Sequence, residues 1–247
     1  MRIIRLHVDH SLAEGAGFDL GRQQAHYLLH VLRLGAGDAV HLFNGRDGEW
    51  RGVISAAGRS TASVTPREMV REQSAGPDLW LAFAPVKRAR IDLIAEKATE
   101  LGVAAIIPVV TENTAVSRVN MDRLRANTIE AAEQCGRLTV PDIRQSASLA
   151  DLLAEWPVGR RLMVCDETGG GEPVVEVLQR MKEKSGSDAW GILTGPEGGF
   201  SRSELDLLAE NPIVTRIGLG PRILRADTAI MAALVCWQAV LGDWADR

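Results

Sequence analysis

Two short segments concentrate the residues whose types could do chemistry. The first runs Leu193-Thr194-Gly195-Pro196-Glu197-Gly198-Gly199-Phe200-Ser201, and the second Gly218-Leu219-Gly220-Pro221-Arg222-Ile223-Leu224-Arg225-Ala226-Asp227-Thr228. Each is fed by a short apolar run that reads as a strand. Glycines after a strand let the backbone turn sharply and come close to a ligand. Arg225 offers a planar fork of donors, and Glu197 and Asp227 offer carboxylates. Together the two loops make a ligand pocket. Ser201-Arg202-Ser203-Glu204 also spells a capping box, so the first loop doubles as a tight turn into a well-capped helix.

The pocket is not one of the common nucleotide sites. A P-loop needs G-x-x-x-x-G-K-[ST], and no such string occurs. Gly218-Leu219-Gly220 begins like a dinucleotide fingerprint, but Ile223 stands where the third glycine belongs. It also lies too near the end of the sequence for the strand and the ribose-binding acid that should follow.

Elements that position these loops can be read from periodicity and turn signals. The front part is strand-rich. Residues 3–8, 39–43, 49–55 and 61–66 read as strands, with a hairpin loop at 44–48 and a helix over 23–32. Such spacing suggests a small β-barrel. Residues 67–78 are polar and contain Ser74-Ala75-Gly76-Pro77, which predicts a linker and a domain boundary near residue 74. Beyond it strands and helices alternate. Strands are expected at 79–84, 105–110, 162–166, 190–194 and 215–218. Helices are expected at 88–101, 122–135, 149–155, 173–184, 201–209 and 228–241. Gly102 and Gly136 sit where left-handed residues end helices. This alternation predicts a parallel sheet with helices on both faces.

Composition bounds the class. A chain of 247 residues allows one large domain or two ordinary ones. Cys135, Cys165 and Cys236 are far apart, with no C-x-x-C, which argues against a disulfide framework or a zinc site and fits a reducing cytosol. The N-terminal residues lack the apolar core of a signal peptide, and the apolar run at 230–241 is shorter than the ~20 residues a bilayer span needs. No metal, membrane or secretory role is expected. The net charge is −4. Residues 1–75 hold nine Arg, eight Asp or Glu and all five His, a balance that suits contact with RNA phosphates or an ordinary solvated surface.

The order and spacing of the motifs then become specific. The first glycine loop resembles the signature of the RsmE-type 16S rRNA (uracil-N3)-methyltransferases of the SPOUT superfamily. So do Leu219 to Ala229, Glu130-Ala131-Ala132-Glu133-Gln134-Cys135-Gly136-Arg137, Glu96-Lys97-Ala98-Thr99-Glu100-Leu101-Gly102-Val103 and the front segment His30-Val31-Leu32-Arg33. The resemblance implies an α/β protein: a PUA-like RNA-binding β-barrel at 1–74, then a SPOUT methyltransferase domain at 75–247 with a deep trefoil knot. It implies S-adenosyl-L-methionine as methyl donor, a uridine of 16S rRNA in the decoding region of the small (30S) ribosomal subunit as substrate, a cytoplasmic homodimer, and neither metal nor membrane. Leu193, Thr194, Gly195, Gly198, Gly199, Leu219, Gly220, Ile223 and Leu224 would hold the cofactor. Arg225, Asp227 and Glu197 would serve catalysis. Arg225 cannot be a base, because guanidinium keeps its proton, so it would be a fork donor to a uracil oxygen or a phosphate. Asp227 would accept the N3 proton or cap the helix expected from Thr228. Glu197 would sit near the sulfonium or fix its loop through backbone N–H groups. Arg22, His30, Arg33, Arg46 and Arg137 are the RNA-binding candidates. The chain departs from the pattern in carrying Asp227 where the family usually has Glu. The family also tends to have a basic residue near Ser117–Asn120, and Arg-Trp where this chain has Arg123-Leu124. Other readings are a SPOUT enzyme with another RNA target and a non-catalytic RNA-binding assembly factor.

Overall fold

A computed structural model describes residues 3–116, 118–183 and 189–244 of the chain. Ser117 and the expected helix end at Lys184 lie outside the described residues. The chain divides into two compact units. One comprises Met1–Ala75 with Ala132–Val140, the other Gly76–Ala131 with Pro141–Arg247. The 132–140 segment thus clusters with the first unit, although it lies far beyond the polar stretch near residue 74.

The first unit is a five-stranded sheet. Its strands are β1 (Arg5–His7), β2 (Phe18–Asp19), β3 (Ala39–Phe43), β4 (Glu49–Ala57) and β5 (Ala62–Arg71), in the order β1-β3-β4-β5-β2. The expected hairpin is β3 and β4, paired antiparallel from Ala39↔Val53 to Phe43↔Glu49. Register shifts along β4 and β5 bend the sheet. No ladder joins β1 to β2 among the described residues, so the barrel-like unit stays open along that edge. The expected helix over 23–32 is α1 (Arg22–His26) followed by a single π-helical turn, Tyr27–Val31. Its inner side chains, Ala25 and Leu28, complete a core with Leu6, Val40, Leu42, Ile54 and Val64.

One correction concerns residues 67–71, expected as linker. They form the outer half of β5, exposed but still paired with β4 up to Glu49↔Arg71. A polar composition does not break a strand whose side chains face water and whose backbone has a partner. The anchor is Glu49, 3% exposed. Its carboxylate accepts from Arg5 Nε at 3.1 Å and Arg71 Nε at 2.7 Å, and bonds His41 Nδ1 at 2.8 Å. The two arginines then reach the carbonyls of the 132–137 segment. Arg5 donates to Ala132 at 2.6 Å and Glu133 at 3.3 Å, and Arg71 to Gly136 at 2.7 Å. These are the carbonyls that a helix end leaves without partners. Burial opposes the charge on Glu49, but the bonds from His41, Arg71 and Arg5 outweigh it and hold the carboxyl below its ordinary value.

The second unit is an all-parallel sheet. Its strands are β6 (Leu79–Phe83), β7 (Ala105–Val110), β8 (Asp142–Ile143), β9 (Ala147–Ser148), β10 (Arg161–Cys165), β11 (Glu172–Pro173), β12 (Trp190–Thr194) and β13 (Val214–Gly218). The order is β11-β13-β10-β12-β6-β7-β8, with β9 on β7. Helices α2 (Arg88–Glu100), α3 (Met121–Cys135), α4 (Leu149–Ala154), α5 (Val174–Glu183), α6 (Arg202–Glu210) and α7 (Ala226–Val240) connect the strands. Successive strand residues face opposite sides of a sheet, and β6 makes this explicit. Leu79, Leu81 and Phe83 join a core with side chains of α2, α5 and α7, whereas Trp80 and Ala82 join a second core with α4 and α6. Strands buried on both faces read as unbroken apolar runs, which is why the sequence marks them clearly. Among the described residues no helix is long and apolar enough to cross a membrane.

Glu49→Gln is expected to destabilise the protein by about 3 kcal/mol, because it leaves the buried Arg5 guanidinium without its counter-charge and removes the charge that the exposed Arg71 meets. The measurement is a urea titration followed by Trp fluorescence. Because the folded-state pKa of Glu49 is depressed, its contribution is complete above the ordinary carboxylate range and is lost as pH falls through the folded value. The variant should therefore lose part of the wild-type stability decline on acidification.

Candidate functional site

Three neighbouring strands, β13, β10 and β12, run parallel and end together. Open α/β sheets place ligands beyond the carboxyl ends of their strands. Here those ends carry three loops, and the loops enclose a cavity of about 580 Å³. The two glycine-rich segments form two of its walls. The third wall is the loop after β10, Asp166-Glu167-Thr168-Gly169-Gly170-Gly171, which contributes Asp166, Glu167 and Gly171.

The cavity's frame is polar and tied together by hydrogen bonds, although the buried Arg216 Nε has no hydrogen-bond partner among the described residues. Asp166, 9% exposed, accepts from the Thr168 backbone N–H at 2.8 Å and its hydroxyl at 2.7 Å. Its other oxygen accepts from Arg216 Nη2 on β13 at 2.6 Å. Burial opposes the charge, yet the Thr168 and Arg216 hydrogen bonds prevail and keep the carboxyl below its ordinary value. The first glycine loop is held from outside. Asn113 donates to the Gly198 and Gly199 carbonyls at 3.3 and 3.0 Å, and Glu167 accepts from the Phe200 N–H at 3.3 Å. The capping box forms as expected, with Ser201 Oγ accepting from the Glu204 N–H at 3.2 Å and Glu204 from the Ser201 N–H at 2.8 Å. Gly199 has φ +69°, and the Glu167 carboxylate occupies the space a Cβ would take. Gly220, at φ +100°, makes the turn of the second loop. At the floor lies Cys165, whose thiol burial pushes up to about 12. It accepts from the Thr194 hydroxyl at 3.6 Å.

Of the residues expected to hold a cofactor, Thr194, Gly195, Gly199, Leu219, Gly220, Ile223 and Leu224 line the cavity. Leu193 and Gly198 do not. Leu193 is one residue short of the strand end and buries its side chain in the core of the α4 and α6 face. Gly198 turns toward Asn113, whose Cβ lies 3.1 Å from where a Cβ on Gly198 would be.

Arg225 and Glu197 line the cavity. Among the described residues the loop is held by Glu167, Asn113 and Glu204, and none of its N–H groups bonds Glu197. Asp227 departs from expectation. The helix begins at Ala226 with Arg225 at the N-cap, so Asp227 sits inside the first turn rather than capping it. Its carboxylate faces Arg90 of α2 at 3.5 Å and is absent from the cavity lining.

The RNA-binding candidates all fall in the first unit. Arg22 opens α1 and is exposed. His30 is exposed, with its ring Nε2 2.9 Å from the Arg59 carbonyl. Arg33 is exposed and takes the left-handed backbone, φ 58°, just past the π-helical turn. Arg46 donates to the Asp9 carbonyl at 3.1 Å. Arg137 is turned inward, bonding Thr139 at 3.1 Å while its carbonyl accepts from Arg5.

Comparison with known proteins agrees with the geometry. Residues 73–238 match the family model described as an RNA methyltransferase domain, and residues 20–67 that of an RNA methyltransferase PUA domain. The chain is 36% identical over 235 residues to a ribosomal RNA small subunit methyltransferase E of Rickettsia conorii, covering 95% of this chain and 94% of the relative. It is 27% identical to the protein of that name from Bacillus subtilis, covering 90% of each. Among solved structures, a methyltransferase from Legionella pneumophila in complex with its cofactor S-adenosylmethionine superposes with TM-score 0.87 at 28% identity, over 98% of this chain and all of that one. A ribosomal RNA small subunit methyltransferase E from Neisseria gonorrhoeae, bound to S-adenosylmethionine, gives the same TM-score at 26% identity and the same coverage.

Asp166→Asn keeps the shape but removes the charge that Arg216 meets. A loss of about 2 kcal/mol is expected, read as a lower urea midpoint with an unchanged m-value. The folded pKa of Asp166 is depressed, so its contribution vanishes as pH falls through that value. Wild type and variant should therefore converge in strong acid.

Proposed function

The chain belongs to the ribosomal RNA small subunit methyltransferase E family, and we propose that it methylates N3 of a uridine in 16S rRNA with S-adenosylmethionine as methyl donor. One observation carries the reading: a cavity walled by both glycine loops, with Arg225 and Glu197 on its lining, at the carboxyl ends of three parallel strands. Its volume is that of a site for a small cofactor. Its lining suits a nucleoside with a charged tail. Leu219, Ile223 and Leu224 offer apolar contact to a base, and the strand ends and glycines expose backbone groups for polar atoms. When bound, S-adenosylmethionine supplies an electrophilic methyl group on a sulfonium.

This chain's residues must generate the nucleophile, which is the substrate's own uracil N3. Uracil N3 carries a proton, and only the imide anion attacks a methyl carbon readily. Arg225, fixed at the start of α7 and permanently charged, is assigned to the uracil oxygens, where its fork favours the anion. Glu197 is the carboxylate on the cavity lining assigned to take the proton. Asp227, paired with Arg90, is assigned to hold the first turn of α7, and with it the cap residue Arg225. Opposite charges neutralise in the reaction, so a site poor in water favours the transition state.

The same proposal includes the finer points implied by resemblance: a knotted methyltransferase domain at 75–247, an RNA-binding domain at 1–74, a homodimer acting on the 30S subunit, and the cytoplasm as its place. Arg22, His30, Arg33 and Arg46 are assigned to RNA.

The test is nucleoside mass spectrometry of 16S rRNA from cells with the gene deleted and restored. Loss of 3-methyluridine on deletion and its return on complementation are expected, and persistence of the nucleoside in the deletion strain would sink the proposal. Arg225→Ala should lower turnover about 100-fold while the calorimetric affinity for S-adenosylmethionine stays within about twofold. Unchanged turnover would remove Arg225 from the site.

A further inference from the structure

Resting on the reading of the cavity as the methyl-donor site, we infer that Asn113 and Glu167 are positioning residues that set donor affinity by clamping the first glycine loop from its two sides. Neither lies in the two glycine-rich loops that the sequence singles out. The loop follows β12, which lies between β10 and β6 in the sheet. Glu167 comes from the loop after β10, on one flank. Asn113 comes from the turn after β7, which reaches across β6 from the other.

Each side chain meets a different part of the loop. Asn113 Nδ2 donates to both the Gly198 and Gly199 carbonyls. The Glu167 carboxylate accepts from the next amide, Phe200 N–H. Together they fix three consecutive residues at the point where Gly199 takes its positive φ.

The turn that carries Asn113 is itself held. Thr111 and Thr114 bond through their hydroxyls at 2.8 Å. The Glu112 N–H donates to Glu204 at 2.9 Å, and Ser203 Oγ donates to the Glu112 carboxylate at 2.8 Å. Glu204, 7% exposed, thus serves both the capping box of α6 and the turn after β7.

A physical reason favours such a clamp. Glycine loses more conformational freedom on ordering than any other residue. A loop with Gly195, Gly198 and Gly199 would impose that cost on every binding event unless it were ordered beforehand. Hydrogen bonds from the two flanking loops order it in the free protein, so donor affinity rises without any new contact to the donor.

Calorimetric titration with S-adenosylmethionine and steady-state methylation of undermethylated 30S subunits test this. Asn113→Ala is expected to raise both Kd and KM for the donor about tenfold, with kcat changed less than about twofold. Asn113→Asp keeps the size but turns an acceptor toward two carbonyls, so it should be at least as weak a binder as the alanine variant. Glu167→Gln retains an acceptor for Phe200 N–H and should bind more tightly than Glu167→Ala. Asn113 is exposed, so folding of its variants is not at risk. Equal affinity across all four variants would overturn the clamp while leaving the cofactor assignment standing. A fall in kcat with Kd unchanged would also overturn it. Failure of the wild type to bind S-adenosylmethionine would instead remove the cofactor assignment, and the clamp with it.

Discussion

A buried carboxylate at the end of a central strand is the constraint around which the site is organised. Asp166 closes β10, whose two neighbours in the sheet carry the glycine loops. A charge in that position must be met by hydrogen bonds or it would cost more than the fold can bear. Thr168 meets it from the same loop and Arg216 from β13. Satisfying one charge therefore shapes the third wall and ties it to the strand that feeds the second loop. Glu167, the very next residue, then reaches the first loop. Three segments far apart in sequence are coordinated by two adjacent acidic residues.

The first unit obeys the same logic. Glu49 is buried because Arg5, Arg71 and His41 surround it, and the arginines remain ordered because the last carbonyls of α3 need donors. The motif around Glu130–Arg137 thereby acquires a concrete structural meaning. Glu133 accepts from the His7 N–H, Gly136 takes the left-handed conformation that ends the helix, and Arg137 supplies a carbonyl to Arg5. Part of what this motif does is to end α3 and offer its last carbonyls to Arg5 and Arg71.

Much of this was legible in the residues, and the rest fails for identifiable reasons. Strands buried on both faces announce themselves as apolar runs, so β6, β7, β10 and β12 were found nearly to the residue. Gly102 and Gly136 marked helix ends because only the left-handed backbone explains them there. Short strands such as β8, β9 and β11 were missed, since two residues have no period. The outer half of β5 was hidden because its side chains face water. The start of α7 was placed two residues late, because Asp227 has the side chain of a cap, yet the backbone turns at Arg225. In the site, the glycine walls could be read directly. Asn113, Glu167 and Asp166 could not, because their importance lies in partners up to 86 residues away.

Cys165 shows what burial does for a site that would hold an alkylating agent. Thiolate, not thiol, is the species that attacks electrophilic carbon. With its pKa pushed up by burial, this residue presents thiolate far less often at neutral pH than an ordinary cysteine. The Thr194 hydroxyl, donating to the sulfur, opposes this shift, but burial outweighs it. A soft nucleophile can therefore line the chamber without intercepting the methyl group meant for RNA. The protein is spared self-modification by the dryness of its own floor.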